Sequence, residues 1–86
     1  MAAKVEMYSK VFCPFCIRAT ALLESKGVKI IDYSAANDKA KRAEMNQRSN
    51  GRNTFPQIFI NDKHIGGSDD LAALERSGKL DALLAD

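Results

Sequence analysis

The order of hydrophobic patterns along the chain predicts an α/β fold, with a four-stranded mixed sheet and flanking helices in the order βαβαββα. Three observations carry this expectation. A strand-like run leads into a proline-started helix and then a second β-rich run, the sequence of a right-handed parallel crossover. Two short apolar runs are joined by Asn61-Asp62, which predicts an antiparallel hairpin. No repeat, linker or low-complexity stretch divides the 86 residues, so 1–86 is expected to be one domain.

In chain order, Lys4-Val5-Glu6-Met7-Tyr8 alternates polar and apolar residues, as a short half-buried strand does. Pro14, with its fixed φ and missing N–H, suits the first position of a helix. That helix is expected to run from about Pro14 to Lys26, to turn Ile17, Ala21 and Leu22 inward with Ala19 and Leu23 beside them, and to stop at Gly27. Val28 to Tyr33 is β-rich and reads as the second strand. Asn37 or Asp38 caps a second helix through about Ser49. Its Ala40, Ala43 and Met45 should face in, while Lys39, Lys41, Arg42, Glu44 and Arg48 form a solvated face.

Asn50-Gly51-Arg52-Asn53 reads as a turn, Gln57 to Ile60 as a strand and Lys63 to Ile65 as its hairpin partner. Gly66-Gly67 breaks that strand, Ser68 or Asp69 caps a third helix through about Ser77, and Gly78 ends it. Lys79 to Leu84 is long enough for a short closing helix.

The composition is 45% hydrophobic and 28% charged, which excludes a disordered chain, and no apolar run approaches the ~20 residues that cross a bilayer. The N-terminal run lacks the basic and apolar regions of an export signal, so a soluble, cytoplasmic protein without membrane association is expected. A net charge of +2, with basic and acidic residues interspersed, argues against nucleic-acid binding.

The chemistry is expected at Cys13-Pro14-Phe15-Cys16, which contains the only two cysteines. Two are too few for a disulfide scaffold. In the cytosol a Cys-x-x-Cys pair points to redox exchange or metal binding instead. The spacing puts the thiols on one helix face at ~5–6 Å, near enough to close a disulfide.

Three stretches taken in order resemble the dithiol glutaredoxins: Tyr8-x-Lys10-x-x-Cys13-Pro14-Phe15-Cys16, Thr54-Phe55-Pro56-Gln57-Ile58-Phe59-Ile60, and Gly66-Gly67-Ser68-Asp69-Asp70-Leu71. The resemblance spans nearly the whole chain. It implies a thioredoxin-like fold, glutathione as co-substrate, and thiol-disulfide exchange on glutathionylated or disulfide-containing proteins by a monomer without metal. Exchange needs a thiolate, and the unpaired N–H groups of a helix start, with Lys10 nearby, favour an anion at Cys13. Cys13 is therefore expected to be the nucleophile. Cys16, one turn further on, is expected to be the more buried, more protonated resolving thiol.

The resemblance also implies a cis Phe55-Pro56 bond, with Phe55 pairing through its backbone to the cysteinyl unit of glutathione. The N–H groups at Gly67-Ser68-Asp69 would take the γ-glutamyl carboxylate, Asp69 or Asp70 the ammonium, and Lys10 the glycyl carboxylate. Phe15 is expected to be exposed and to pack on substrate; a place in the core is the alternative. Relatives often carry Tyr at this position, Val at position 55 and, in some, Cys at position 68, so three site residues depart from the family pattern. The bulkier Phe55 either narrows the groove or turns into the core. His64 is expected to be a surface strand residue, not a base. Two other classes share Cys-x-x-Cys. One is an iron-sulfur or metal module, against which Pro14 argues. The other is a reductase fed by a protein partner, against which the glutathione-end residues argue.

Overall fold

The computed structural model describes residues 3–85. Met1 and Ala2, with which the run read for an export signal begins, lie outside the described residues. The elements are β1 (Val5–Ser9), α1 (Pro14–Ser25), β2 (Ile30–Ser34), α2 (Lys39–Arg48), β3 (Gln57–Ile60), β4 (Lys63–Gly66), α3 (Ser68–Arg76) and α4 (Leu80–Leu84). The four strands form a mixed sheet in the order β2-β1-β3-β4. β1 runs parallel to β2 and antiparallel to β3, and β3 and β4 form the expected hairpin. Asn61 and Asp62 both have positive φ, 51° and 67°, as a turn matched to strand twist requires.

β1 is not half-buried. All five of its residues are buried, because it is an inner strand with a layer on each face. Val5 and Met7 join Ala19 and Leu23 of α1, Ile58 and Ile60 of β3, Leu71 of α3 and Leu80 and Leu84 of α4. On the other face Tyr8 packs with Met45 and Phe59. The alternation in the sequence therefore separates two buried environments instead of core from water.

Both long helices present faces different from those expected. In α1 the buried residues are Cys16, Ala19 and Leu23, at i, i+3 and i+7; Ile17 and Ala21 are exposed and Leu22 is half-buried. Seating Cys16 inward in the first turn rotates Ile17 and Ala21 out to the flank. α1 ends as expected at Lys26 and Gly27, whose φ is +78°. Lys26 ion-pairs with Glu75 and Asp81, both at 2.9 Å, joining α1 to α3 and α4.

In α2, capped by Asp38, only Met45 is fully buried, and Ala40 and Ala43 are exposed. Arg48, expected in solvent, instead turns onto the sheet. Its guanidinium donates to both Glu6 oxygens at 3.0 and 3.2 Å and to the Tyr8 hydroxyl at 2.8 Å, and lies 4.0 Å from the centre of the Phe59 ring. Tyr8 donates to Glu44, and Tyr33 donates to Glu6 at 2.9 Å. The cause lies in β1: a carboxylate in the middle of an inner strand must be paired, and α2 carries the cation. Arg48 holds the Glu6 carboxyl below its ordinary value, against the effect of burial. Burial, and then the bond to Glu44, push the Tyr8 hydroxyl up to about 12.

β2 begins at Ile30, two residues later than expected, and is a partly exposed edge strand. Neither Ser68 nor Asp69 caps α3. Gly67 occupies the N-cap, and the Asp70 carboxylate reaches back to accept its N–H at 3.0 Å. The short closing helix is present as α4.

Replacing Arg48 with Ala should cost about 3 kcal/mol in urea unfolding at about pH 7, because it strands a buried carboxylate. Since the folded Glu6 carboxyl lies below its unfolded value of 4.5, its stabilising contribution is present above that value and is lost as pH falls through the folded one. The wild type should therefore lose stability between about pH 5 and pH 3 more steeply than Arg48→Ala, and parallel pH profiles would contradict this account.

Candidate active site

Strand register gathers the three motifs at one end of the sheet. Tyr8 pairs with Gln57, so the chain leaving β1 lies beside the chain entering β3, and Ile58 pairs with Gly66, which brings the start of α3 alongside. Residues more than forty apart in sequence meet there.

After β1 the chain turns sharply at Phe12, whose φ is +54°, and Cys13 caps α1 with extended backbone ahead of Pro14. Its Sγ accepts the N–H of Cys16 at 3.3 Å, so the helix start directs a donor at this sulfur. Both cysteines are free thiols, and their exposures are close, 3% for Cys13 and 5% for Cys16. The expected difference in burial is thus absent, because the residue at the helix cap is covered as fully as the one a turn inside. Burial, then a hydrogen bond with Cys13, push the Cys16 thiol up to about 12, while a backbone hydrogen bond from Lys10 acts the other way.

The Phe55-Pro56 bond is cis, as the resemblance implied. The Gln57 amide holds the preceding turn by donating to the Thr54 carbonyl at 2.9 Å and hydroxyl at 3.0 Å. Gln57 Oε1 in turn meets His64 Nε2 at 2.7 Å, so the half-buried His64 braces the hairpin away from the thiols. Gln57 was read only as a strand residue; a lone amide among apolar neighbours was the available signal. Of the two alternatives for Phe55, the structure takes the inward one: its ring packs on the cluster of Tyr8, Met45 and Phe59. The Lys10 ammonium lies 5.9 Å from the centre of that ring, which links the first motif to the second.

A groove of about 330 Å³ is lined by Phe15, Thr54, Phe55, Pro56, Gly67, Ser68, Asp69 and Asp70, and thus unites all the expected binding residues except Lys10. Phe15 is 49% exposed at its rim, which settles its alternatives in favour of the surface. Arg52 also lines the groove and lies 3.5 Å from Asp70. It had been read only as part of a turn, because nothing local distinguishes a binding arginine from a solvated one. Asp69 and Asp70 are both exposed, and Asp70 accepts the Gly67 N–H and pairs with Arg52. Gly66 has φ +118°, and a Cβ there would lie 2.2 Å from Asp70 Oδ2, so only glycine permits this start to α3. A second groove, of about 540 Å³, is lined by Cys13, Cys16 and Lys10.

With Cys13 replaced by Ser, alkylation of Cys16 by iodoacetamide near pH 7.5 should be roughly a hundredfold or more slower than for an exposed cysteine of pKa ~8.5, since burial remains. The rate should rise about tenfold per pH unit up to about pH 11, as followed by mass shift; a plateau near pH 9 would contradict the buried-thiol assignment.

A family model for glutaredoxin matches residues 5–65. Glutaredoxin 3 of Escherichia coli K12 is 56% identical over 82 residues, which cover 95% of this chain and 98% of that protein. A probable glutaredoxin of Synechocystis is 51% identical over 84 residues, covering 98% and 96%. Among solved structures, the glutaredoxin of Brucella melitensis superposes with a TM-score of 0.82 at 52% identity, covering 96% of this chain and 89% of that one. A buckwheat glutaredoxin-glutathione complex superposes with a TM-score of 0.86 at 30% identity, covering 96% and 77%. The family model covers most of the chain, the relatives match it over nearly its whole length, and the chain belongs to the glutaredoxin family.

Proposed function

We propose that this chain is a glutathione-dependent thiol-disulfide oxidoreductase that reduces glutathione mixed disulfides and some protein disulfides. The observation that carries the reading is the inequality of the two sulfurs: Cys13 Sγ receives a helix-start N–H, whereas the Cys16 thiol is pushed up to about 12 by burial. Cys13 attacks the sulfur of glutathione in a protein-glutathione disulfide. One S–S bond forms as another breaks, and the protein leaves as a thiolate that takes up a proton. A second glutathione then attacks the mixed disulfide, regenerating Cys13 and releasing oxidised glutathione. With a protein disulfide, Cys13 attacks one sulfur and releases the other as a thiolate; Cys16 then gives up its proton and attacks the Cys13 sulfur of that mixed disulfide, expelling the second substrate thiolate and leaving a Cys13-Cys16 bridge, which two glutathiones reduce.

The smaller groove suits glutathione. Because the Gly67 N–H is held by Asp70, the backbone N–H groups at Ser68 and Asp69 are left for the γ-glutamyl carboxylate, and the Phe55 backbone pairs with the cysteinyl unit beside Pro56 and Thr54. Asp69 is the better partner for the ammonium, because Asp70 is already engaged. Lys10, assisted by Arg52, meets the glycyl carboxylate, and Phe15 covers the substrate. The bound glutathione in the buckwheat relative supports this choice of ligand. In this reading residues 1–86 work as one cytoplasmic domain, monomeric and without metal, on glutathionylated and disulfide-containing proteins.

Turnover of a glutathionylated thiol with glutathione as reductant tests the roles. Cys13→Ser should lose activity by roughly a hundredfold or more, while Cys16→Ser should stay within about threefold of wild type on this substrate and fail on protein disulfides. An active Cys13→Ser, or a Cys16→Ser dead on the glutathionylated thiol, would falsify the assignment.

A further inference from the structure

The larger groove shares no lining residue with the smaller one, yet both cysteines line it. Its rim is apolar. Val11, Phe12 and Ile17 are 67%, 96% and 65% exposed, although each is large enough to favour burial. Phe12 is the most exposed of them, and its φ of +54° lies in the left-handed region that a bulky side chain enters only under strain. The turn from β1 into α1 therefore holds an aromatic ring in water directly before Cys13.

Two carboxylates, Glu24 and Asp32, and one ammonium, Lys10, stand among the rest of the lining. Met7 pairs in register with Asp32, and Ser9, two residues on along β1, donates to the Asp32 carboxylate, so Asp32 is fixed on the sheet face that α1 covers. Glu24 lines the same groove from α1. The trough continues into a hollow of about 400 Å³ that shares Met7, Thr20, Glu24 and Asp32, with Lys10 lining only the first and Lys29 only the second. It has the form of a channel for an extended segment, apolar beside the sulfurs and negative further along.

A protein-glutathione disulfide carries two arms on one S–S bond. With glutathione in the smaller groove, the polypeptide arm is left with the other wall of the thiol pair. We propose that the larger groove seats the substrate polypeptide around its disulfide-bonded cysteine, taking an apolar side chain against Val11, Phe12 and Ile17 and a lysine or arginine against Asp32 and Glu24. This rests on the glutathione reading of the smaller groove. It makes Phe12 and Asp32 selectivity residues among protein substrates.

The test compares two glutathionylated peptides of equal length, one with Leu and Lys flanking the cysteine and one with Ser and Glu, beside the small cysteine-glutathione mixed disulfide. Wild type should favour the Leu/Lys peptide by about tenfold in kcat/KM, mostly through KM. Phe12→Ser and Ile17→Ser should each cut that preference to about threefold or less, and Asp32→Asn should remove its salt-sensitive part, all with turnover of the small mixed disulfide within about twofold of wild type. Equal kcat/KM on the two peptides in wild type overturns the proposal, as does a preference that survives all three substitutions. Because the first comparison uses wild type alone, a variant that fails to fold does not rescue the idea. Failure of wild type on the small mixed disulfide would instead overturn the glutathione reading.

Discussion

The fold depends on one strand that has no access to water. β1 is flanked by β2 and β3 and covered on both faces, so each of its side chains must be satisfied internally. Val5 and Met7 do this by packing. Glu6 cannot, and the position of α2 follows from it: Arg48 has to lie over the sheet to neutralise the carboxylate, and its guanidinium then also holds the Tyr8 hydroxyl and covers the Phe59 ring. Burial in the same layer brings Phe55 into contact with Tyr8 and Phe59. A charge pair on the far face of the sheet thereby fixes the floor beneath the site.

The site forms where β1 ends. Antiparallel pairing with β3 and the β3-β4 hairpin bring residues 10–16, 54–57 and 66–70 to one end of the sheet, and the hydrogen bonds at that end hold loops that carry no core of their own. Gln57 ties the Thr54 turn to His64, and Asp70 ties Gly67 to Arg52. The local backbone is specialised for the task, with a cis bond before Pro56 and positive φ at Phe12 and Gly66.

Two grooves flank the Cys13-Pro14-Phe15-Cys16 stretch, the larger lined by both cysteines and the smaller by Phe15, and their characters differ. One offers helix-start N–H groups and charges of both signs, which suits a small zwitterion with two carboxylates; the other offers exposed apolar side chains and two carboxylates, which suits polypeptide. The thiols are nearly equal in exposure, and burial pushes the Cys16 thiol up. The Cys13 sulfur accepts the Cys16 N–H, and burial acts on the Cys16 thiol, neither of which the accessibility of the whole residue reveals.

The sequence by itself determined the elements, their order, the hairpin and the thiol pair at a helix start, because each rests on local chemistry, and the family resemblance supplied nearly all the residues of the smaller groove. Proline at a first helical position, glycine at positive φ and two cysteines three apart act over a few residues. Tertiary structure alone decided which faces were buried. Ile17 turned outward because Cys16 turned inward, and Arg48 left the solvent because Glu6, 42 residues earlier, needed a cation. Arg52 joined the groove, and the Asp70 carboxylate that lines it was tied to Arg52, through a contact spanning 18 residues. Such pairings depend on the position of a distant backbone, and no local pattern of side chains encodes it. The Cys13-Pro14-Phe15-Cys16 stretch could thus be read as the reactive pair, while the unequal environments of its two sulfurs became visible only once the sheet had closed around them.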